Sequence, residues 1–327
     1  MSLVSSSSIY PEHDRTAWIL ARRPARVPVS PWLPHGFFLE KERSACGEVV
    51  DSAGILLTNK ECPWHCLMCD LWKHTLTNSV PPGAIPKQIE YALAQLGGKP
   101  KQTKLYNSGS FFDPAAIPPE DYEAIAGKVA FAEHVIVEAH PRLIGERVLR
   151  FRDHLKGSLE VAMGLETVHP EVLPRLNKRF SLEQFASAAA LLRNEGIGVR
   201  AFVLVKPPFL NEDEAIEWGV KSARFAFDCC AGVVSLIPTR PGNGALDDLI
   251  LSGEFTPPNI VTLERCLEAG LQLRAGRVFA DTWDLQQFSS CATCFKDREQ
   301  RLQLMNLSQA VAAPVRCRVC AESNLAA

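Results

Sequence analysis

The stretch Glu61–Trp72 reads ECPWHCLMCDLW and directly follows Val49–Thr58, VVDSAGILLT, an apolar and β-branched run of strand length. Cys62, Cys66 and Cys69 stand in it as C-x3-C-x2-C. Three thiolates on a short loop at a strand end can converge on one face of a metal centre, because soft sulfur ligands suit iron–sulfur clusters and zinc. A structural zinc closes its shell with four ligands, so three leave one position open for a reactive centre. His65 is wedged between two of the cysteines and is badly placed to be the fourth ligand.

Outward from this loop the chain alternates. Candidate strands are Val49–Thr58, Lys104–Ser108, His134–Ala139, Leu159–Leu165, Val199–Val205 and Val233–Ile237. Helix-like segments lie between them at Pro86–Leu96, Pro119–Ala132, Ser181–Glu195, Glu212–Phe227 and Asn259–Ala275. Proline in a first turn, acids at helix starts, and Ser181 ahead of Gln184 with Gly196 behind are ordinary helix punctuation. Alternating β and α units predict an α/β protein with a parallel sheet. Periodicity alone does not choose between an open sheet and a barrel.

The order of the motifs is more specific than any one of them. ILARRPAR, the cysteine loop, YNSGSFFDP (106–114), VEAHP (137–141) and GLETVHPEVLPRLNKRF (164–180) follow one another. In this order the chain resembles the radical SAM superfamily, within its Elongator-catalytic-subunit-like branch. It is similar there to the radical SAM enzymes of archaeosine synthesis and their bacterial relatives. The resemblance covers roughly residues 15–285. It implies a partial (β/α)6 TIM-like barrel, with a [4Fe–4S] cluster on Cys62, Cys66 and Cys69 at the strands' C-terminal mouth. It also implies S-adenosylmethionine on the open iron, cleaved reductively to a 5′-deoxyadenosyl radical. Met68 would pack against the adenine, and Ser108, Gly109 and Ser110 would contact the methionine end. Glu138, Glu166 and Arg179 would hold the remaining polar groups, since a guanidinium is suited to grip a carboxylate. Lys206 and Arg240 are further pocket candidates at later strand ends. Asp281, Trp283 and Asp284 close a possible extra strand and line either the pocket or a structural corner.

Two other segments differ from the core in character. Residues 1–45 form a proline- and arginine-rich arm, with four arginines between Arg15 and Arg26 and prolines at 24, 28, 31 and 34 that forbid a long helix. The arm reads either as a strap over the domain or as a phosphate-binding segment. Residues 46–285 make up the catalytic core. Residues 286–327 form a cysteine-rich tail in which Cys291-x2-Cys294 and Cys317-x2-Cys320 can close a tetrahedral shell around zinc or hold an auxiliary [4Fe–4S] cluster. Lys296, Arg298, Arg301, Arg316 and Arg318 surround these ligands, a basic setting consistent with RNA phosphates. Cys46, Cys229, Cys230 and Cys266 have no ligand spacing and read as buried packing residues.

Composition sets the outer limits. The chain has 327 residues, 46% hydrophobic and 22% charged, with eleven cysteines and a net charge of −2. That excludes a disordered or collagenous chain. No apolar run is long enough to cross a bilayer, and the sequence opens without a basic n-region or apolar core of a secretory signal. Many cysteines in such a chain point to metal in a reducing cytoplasm. No P-loop or nucleophile-elbow motif competes. Within these limits the resemblance implies a radical SAM enzyme acting on a modified nucleoside in tRNA. A reductant such as flavodoxin or ferredoxin is expected, and a partner enzyme, as in archaeosine synthesis, where a C–N bond is cleaved. The alternatives are a radical SAM enzyme for a small metabolite or peptide, and a non-enzymatic zinc protein binding nucleic acid.

Overall fold

The computed structural model describes residues 8–322, so the first seven residues of the arm and the last five of the tail lie outside the described residues. One sheet of eight strands runs in strict chain order: β1 (Gly36–Arg43), β2 (Val49–Leu56), β3 (Gln102–Tyr106), β4 (His134–Ala139), β5 (Ser158–Glu166), β6 (Gly198–Val205), β7 (Val233–Pro238) and β8 (Arg277–Ala280). β1 and β2 form an antiparallel hairpin and every later pair is parallel. The six anticipated strands are β2–β7. The possible extra strand is β8.

The sheet is strongly curled. Strands five places apart would lie about 24 Å from each other in a flat sheet. Yet the Arg200 guanidinium on β6 donates to Glu42 on β1 at 2.6 Å, and the Arg277 guanidinium on β8 donates to the Arg43 carbonyl at 2.8 Å. The curl follows from side-chain parity. On the outer face Ile55, Leu105, Val135, Val137, Val161, Met163, Val203, Val234 and Leu236 are fully or almost fully buried against the helices. Each such residue contributes about 1.5–3 kcal/mol of burial. Near the strand starts the inner face is ionic, with Glu42, Lys104, Glu160 and Arg200 knotted into one buried plug. The plug closes one end of the half-barrel. The other end, where β2–β7 finish, is the mouth.

β1 lies inside the stretch read as an arm, which shortens the true arm to the residues before Gly36. Its pattern was hidden because Glu40 and Glu42 point to a polar lumen, where Lys104 binds both, instead of an apolar core. The helix Glu146–His154 was likewise missed, whereas Leu182–Asn194 starts at Ser181 with the expected capping box. The helix Phe295–Ser308 lies across the gap between β8 and β1. Asn306 exchanges two hydrogen bonds with the backbone of Ala280, both 2.8 Å, and Gln309 does the same with Val278 at 2.8 and 2.9 Å. Two side-chain amides thus pair the free edge of β8, which would otherwise invite another strand. Among the described residues no helix is long and apolar enough to cross a membrane.

Candidate active site

The cysteine loop leaves the end of β2 and lies over the mouth. It is pinned from several sides. Asn177 donates to the His65 carbonyl at 2.7 Å, the Leu67 amide to the Leu176 carbonyl at 2.9 Å, and Asn243 to the Leu67 carbonyl at 2.8 Å. Trp64 stacks on His140 at 3.8 Å, almost parallel. Cys66 is buried, Cys62 and Cys69 are partly so, and all three thiols are free. Burial pushes Cys62 up to about 11, Cys69 up to about 12, and Cys66 well above the ordinary thiol range. Loading a metal here therefore releases protons.

The strand ends bring a polar ring to the same place. The Asn107 amide donates to Glu138 Oε1 at 2.5 Å and the Gly109 amide at 3.4 Å, so Glu138 shapes the Ser108–Ser110 turn from below. Gly109 lies against Cys62, whose Cβ would sit 3.2 Å from a β-carbon added there. The Asn107 side chain and the Ser110 hydroxyl are buried with no partner. Buried polar groups normally have partners, so these atoms face a position suited to a polar ligand. Glu166 stands at the β5 bulge with φ of 65° and pairs with Lys178. Three soft, deeply seated thiols with orphaned donors and acceptors beside them fit a three-thiolate cluster and a polar small ligand.

Positive φ marks this rim. Ser108, Glu166, Asn177, Arg179, Lys206 and Phe209 all adopt the left-handed region. For non-glycine residues this is costly, and it is typical of sites where position outweighs stability.

One residue before Arg179 stands a cation that the sequence reading did not name. Lys178 projects inward, its ammonium on Glu166 and its charge felt by Cys62 and Cys66. Arg179 instead turns to the outer side of the rim, where it donates to the Thr16 hydroxyl at 2.8 Å. The left-handed backbone at Asn177 and Arg179 sets these directions, and spacing does not reveal it. Met68 packs among Leu67, Phe209 and Leu210. Lys206 is spent on Glu212 and Thr256, and Arg240 on Asp281. His65 faces Glu61.

The arm arginines are occupied within the chain. Arg23 and Arg26 pair with Glu61, Arg22 pairs with Asp248 at 2.7 Å, and Arg15 donates to the Pro174 carbonyl at 2.8 Å. The arm is a strap that clamps the cysteine loop. In the tail, Arg298 and Arg301 are buried on Glu264 and Glu268, so they belong to the fold and do not face solvent. Cys291, Cys294, Cys317 and Cys320 converge, their sulfurs all within 4.8 Å of one another, with Cys291–Cys317 at 3.9 Å and Cys294–Cys320 at 3.6 Å. Of the other four cysteines, Cys266 is buried as anticipated, but Cys46 and Cys230 are exposed.

The chain is similar to known proteins over part of its length. It is 28% identical over 204 residues to an uncharacterized protein of Methanocaldococcus jannaschii, covering 59% of this chain and 56% of that one. It is 29% identical over 179 residues to archaeosine synthase subunit beta of Methanosarcina acetivorans, covering 52% and 51%. The chain thus spans about half the length of the curated relatives it matches. Among solved structures, the Elp3 protein of Methanocaldococcus infernus superposes with a TM-score of 0.49 at 16% identity, covering 72% of this chain and 60% of that one. No family model matches. The anticipated resemblance to the archaeosine-synthesis proteins is borne out at the level of sequence.

Proposed function

We propose that this chain is a radical SAM enzyme acting on a modified nucleoside in tRNA. The observation that carries the reading is the set of three free thiols on the loop over the mouth, Cys66 buried and Cys62 and Cys69 partly so, faced by the Lys178–Glu166 pair. Cys62, Cys66 and Cys69 would hold a [4Fe–4S] cluster. When bound, the cluster and S-adenosylmethionine supply a reductive cleavage that yields a 5′-deoxyadenosyl radical for hydrogen abstraction. The chain's own residues position and shield. Lys178 offers an ammonium to a carboxylate, with Glu166 keeping it charged and in place. The 107–110 turn, held by Glu138, offers the Ser110 hydroxyl and the Asn107 amide to the ligand's polar end. The relatives named archaeosine synthase subunit beta favour a nucleoside substrate. A one-electron donor of the flavodoxin or ferredoxin type and a partner enzyme complete the expectation.

The tail site is read as mononuclear zinc. Four sulfurs around one metal at about 2.3 Å stand about 3.8 Å from each other. The two sulfur pairs at 3.9 and 3.6 Å match that edge. A four-iron cubane places each thiolate on a different iron and spreads them wider.

Anaerobic reconstitution with metal analysis tests both assignments. The expected result is about four irons and one zinc per chain. Cys66→Ala should lose the iron and the release of 5′-deoxyadenosine, and Cys291→Ala/Cys294→Ala should lose only the zinc. About eight irons would refute zinc, and retained cleavage in Cys66→Ala would refute the enzyme reading.

A further inference from the structure

The arm arginines are paired within the chain and Arg298 and Arg301 are buried, which leaves Lys296, Arg316 and Arg318 exposed on the tail, and a second set of open cations stands on the rim beside the mouth. A groove of about 620 Å³ opens on the outer side of the Leu173–Gln184 segment. A second hollow of about 380 Å³ shares its Arg142, Glu183 and Gln184. Arg142 and Arg179 both line the larger groove and both are exposed. Among the described residues neither has a carboxylate within ion-pair distance, in contrast to Arg22, Arg23, Arg26, Arg298 and Arg301. The helix Leu182–Asn194, thirteen residues long, begins in the groove at Ser181. Its amide ends add partial positive charge. Glu183 is the one carboxylate on the lining.

The groove is mechanically part of the mouth. Its Asn177 holds the cysteine loop through the His65 carbonyl, and Lys178, between Asn177 and Arg179, faces the thiols. His140 Nε2 donates to the Lys178 carbonyl at 3.0 Å while its ring stacks on Trp64 of the loop. One segment therefore presents an ammonium to the chamber and a guanidinium to the outside.

We propose that this groove is where the RNA backbone docks, with Arg142 and Arg179 gripping phosphates so that the adjoining nucleoside reaches the mouth. Guanidiniums without acidic partners, at the edge of the reactive chamber, are the groups that phosphate recognition requires. The inference rests on the reading of the substrate as a nucleoside within tRNA. It assigns the contact to residues outside the arm and the tail.

The test is the salt dependence of binding of bulk tRNA to the intact protein. Arg142→Ala/Arg179→Ala should make the plot of log affinity against log salt shallower by about 1.5, since each phosphate contact contributes about 0.7–0.9. Arg224→Ala/Arg265→Ala, which removes two exposed arginines from outer helices, should leave the slope unchanged. Glu183→Gln should tighten binding. A groove variant that behaves like the outer-helix variant, or a wild-type protein with no salt-dependent tRNA binding, overturns the proposal. Release of 5′-deoxyadenosine by the same wild-type preparation without RNA is read separately. Its failure would strike the enzyme reading and leave the groove result standing.

Discussion

Gly164 has no side chain because the Lys178 ammonium occupies that space: a β-carbon built on Gly164 would collide with Lys178 Nζ and with Glu166 Oε1. The β5 bulge falls between Gly164 and Glu166, so the strand delivers the carboxylate and clears room for its partner in three residues. Gly164→Ala should therefore displace the ion pair without touching any cysteine. The expected result is a folded protein that retains its iron but binds S-adenosylmethionine about tenfold more weakly, a change of about 1.4 kcal/mol. Equilibrium dialysis beside iron analysis checks it. Unchanged affinity would mean that Lys178 does not meet the ligand.

The plug at the closed end makes stability depend on acid. Burial pushes Glu160 up, but the Arg200 guanidinium and the His134 ring more than offset it and bring the carboxyl down to about 2. Glu42, buried between Arg200 and Lys104, is held well below the usual carboxylate range by the same opposition. Arg277, 3.8 Å from Glu160, adds a further cation. Depressed carboxyls bind fewer protons folded than unfolded, so their contribution is complete above about pH 4.5 and is lost as pH falls toward 2. The urea midpoint should fall steadily between pH 5 and 3. Glu160→Gln should be less stable at pH 7, because Arg200 loses a partner, and should show a flatter slope in acid. A variant with the wild-type slope would remove Glu160 from the account.

How much of this was readable in the chain depended on whether a residue's partner was local. Cys62, Cys66 and Cys69 announce themselves by spacing, as do the four tail cysteines, and the capping box at Ser181 is contained in four residues. The β/α alternation was readable because the outer face packs on apolar helices. The lumen was not, since nothing near Glu40, Glu42, Lys104 or Arg200 in the chain marks them as partners until the curl brings β1 to β6. The choice between strap and phosphate-binding segment for Arg23 and Arg26 stayed open for the same reason: Glu61 lies 35 residues or more beyond them. That Lys178 pairs with Glu166 while Arg179 donates to Thr16 was not legible either, because the left-handed backbone at Asn177 and Arg179 is required by no residue type there.

Asn306 shows what a side chain can do for a sheet edge. Its amide makes both hydrogen bonds that a neighbouring strand would make to Ala280, and Gln309 repeats this at Val278. Asn306→Ala leaves a donor and an acceptor of β8 unpaired beneath a helix. Each such group costs about 1–3 kcal/mol. Urea unfolding should show a loss of about 2 kcal/mol or more. Light scattering should show association that the wild type lacks, because an uncovered edge pairs with other edges. A fully monomeric variant of unchanged stability would show that the cap is dispensable.

A metal held by Cys291, Cys294, Cys317 and Cys320 should then matter to the barrel, although these cysteines lie outside the mouth. Cys294 immediately precedes the helix Phe295–Ser308, and Arg298 on its first turns donates to Cys294 Sγ at 3.3 Å while pairing with Glu264. The same helix carries Asn306 at its far end. Removing the metal would free the Cys317–Cys320 segment first and loosen the helix from its start. Structural zinc sites contribute folding energy directly, so chelation should lower the thermal midpoint and open the 286–322 region to proteolysis. The reconstituted cluster on Cys62, Cys66 and Cys69 should stay loaded at low temperature, where the strap and Asn177 still hold its loop. Limited proteolysis with mass mapping, before and after zinc is restored, separates the two sites. Cleavage that begins in the cysteine loop, with the tail protected, would invert the order of dependence.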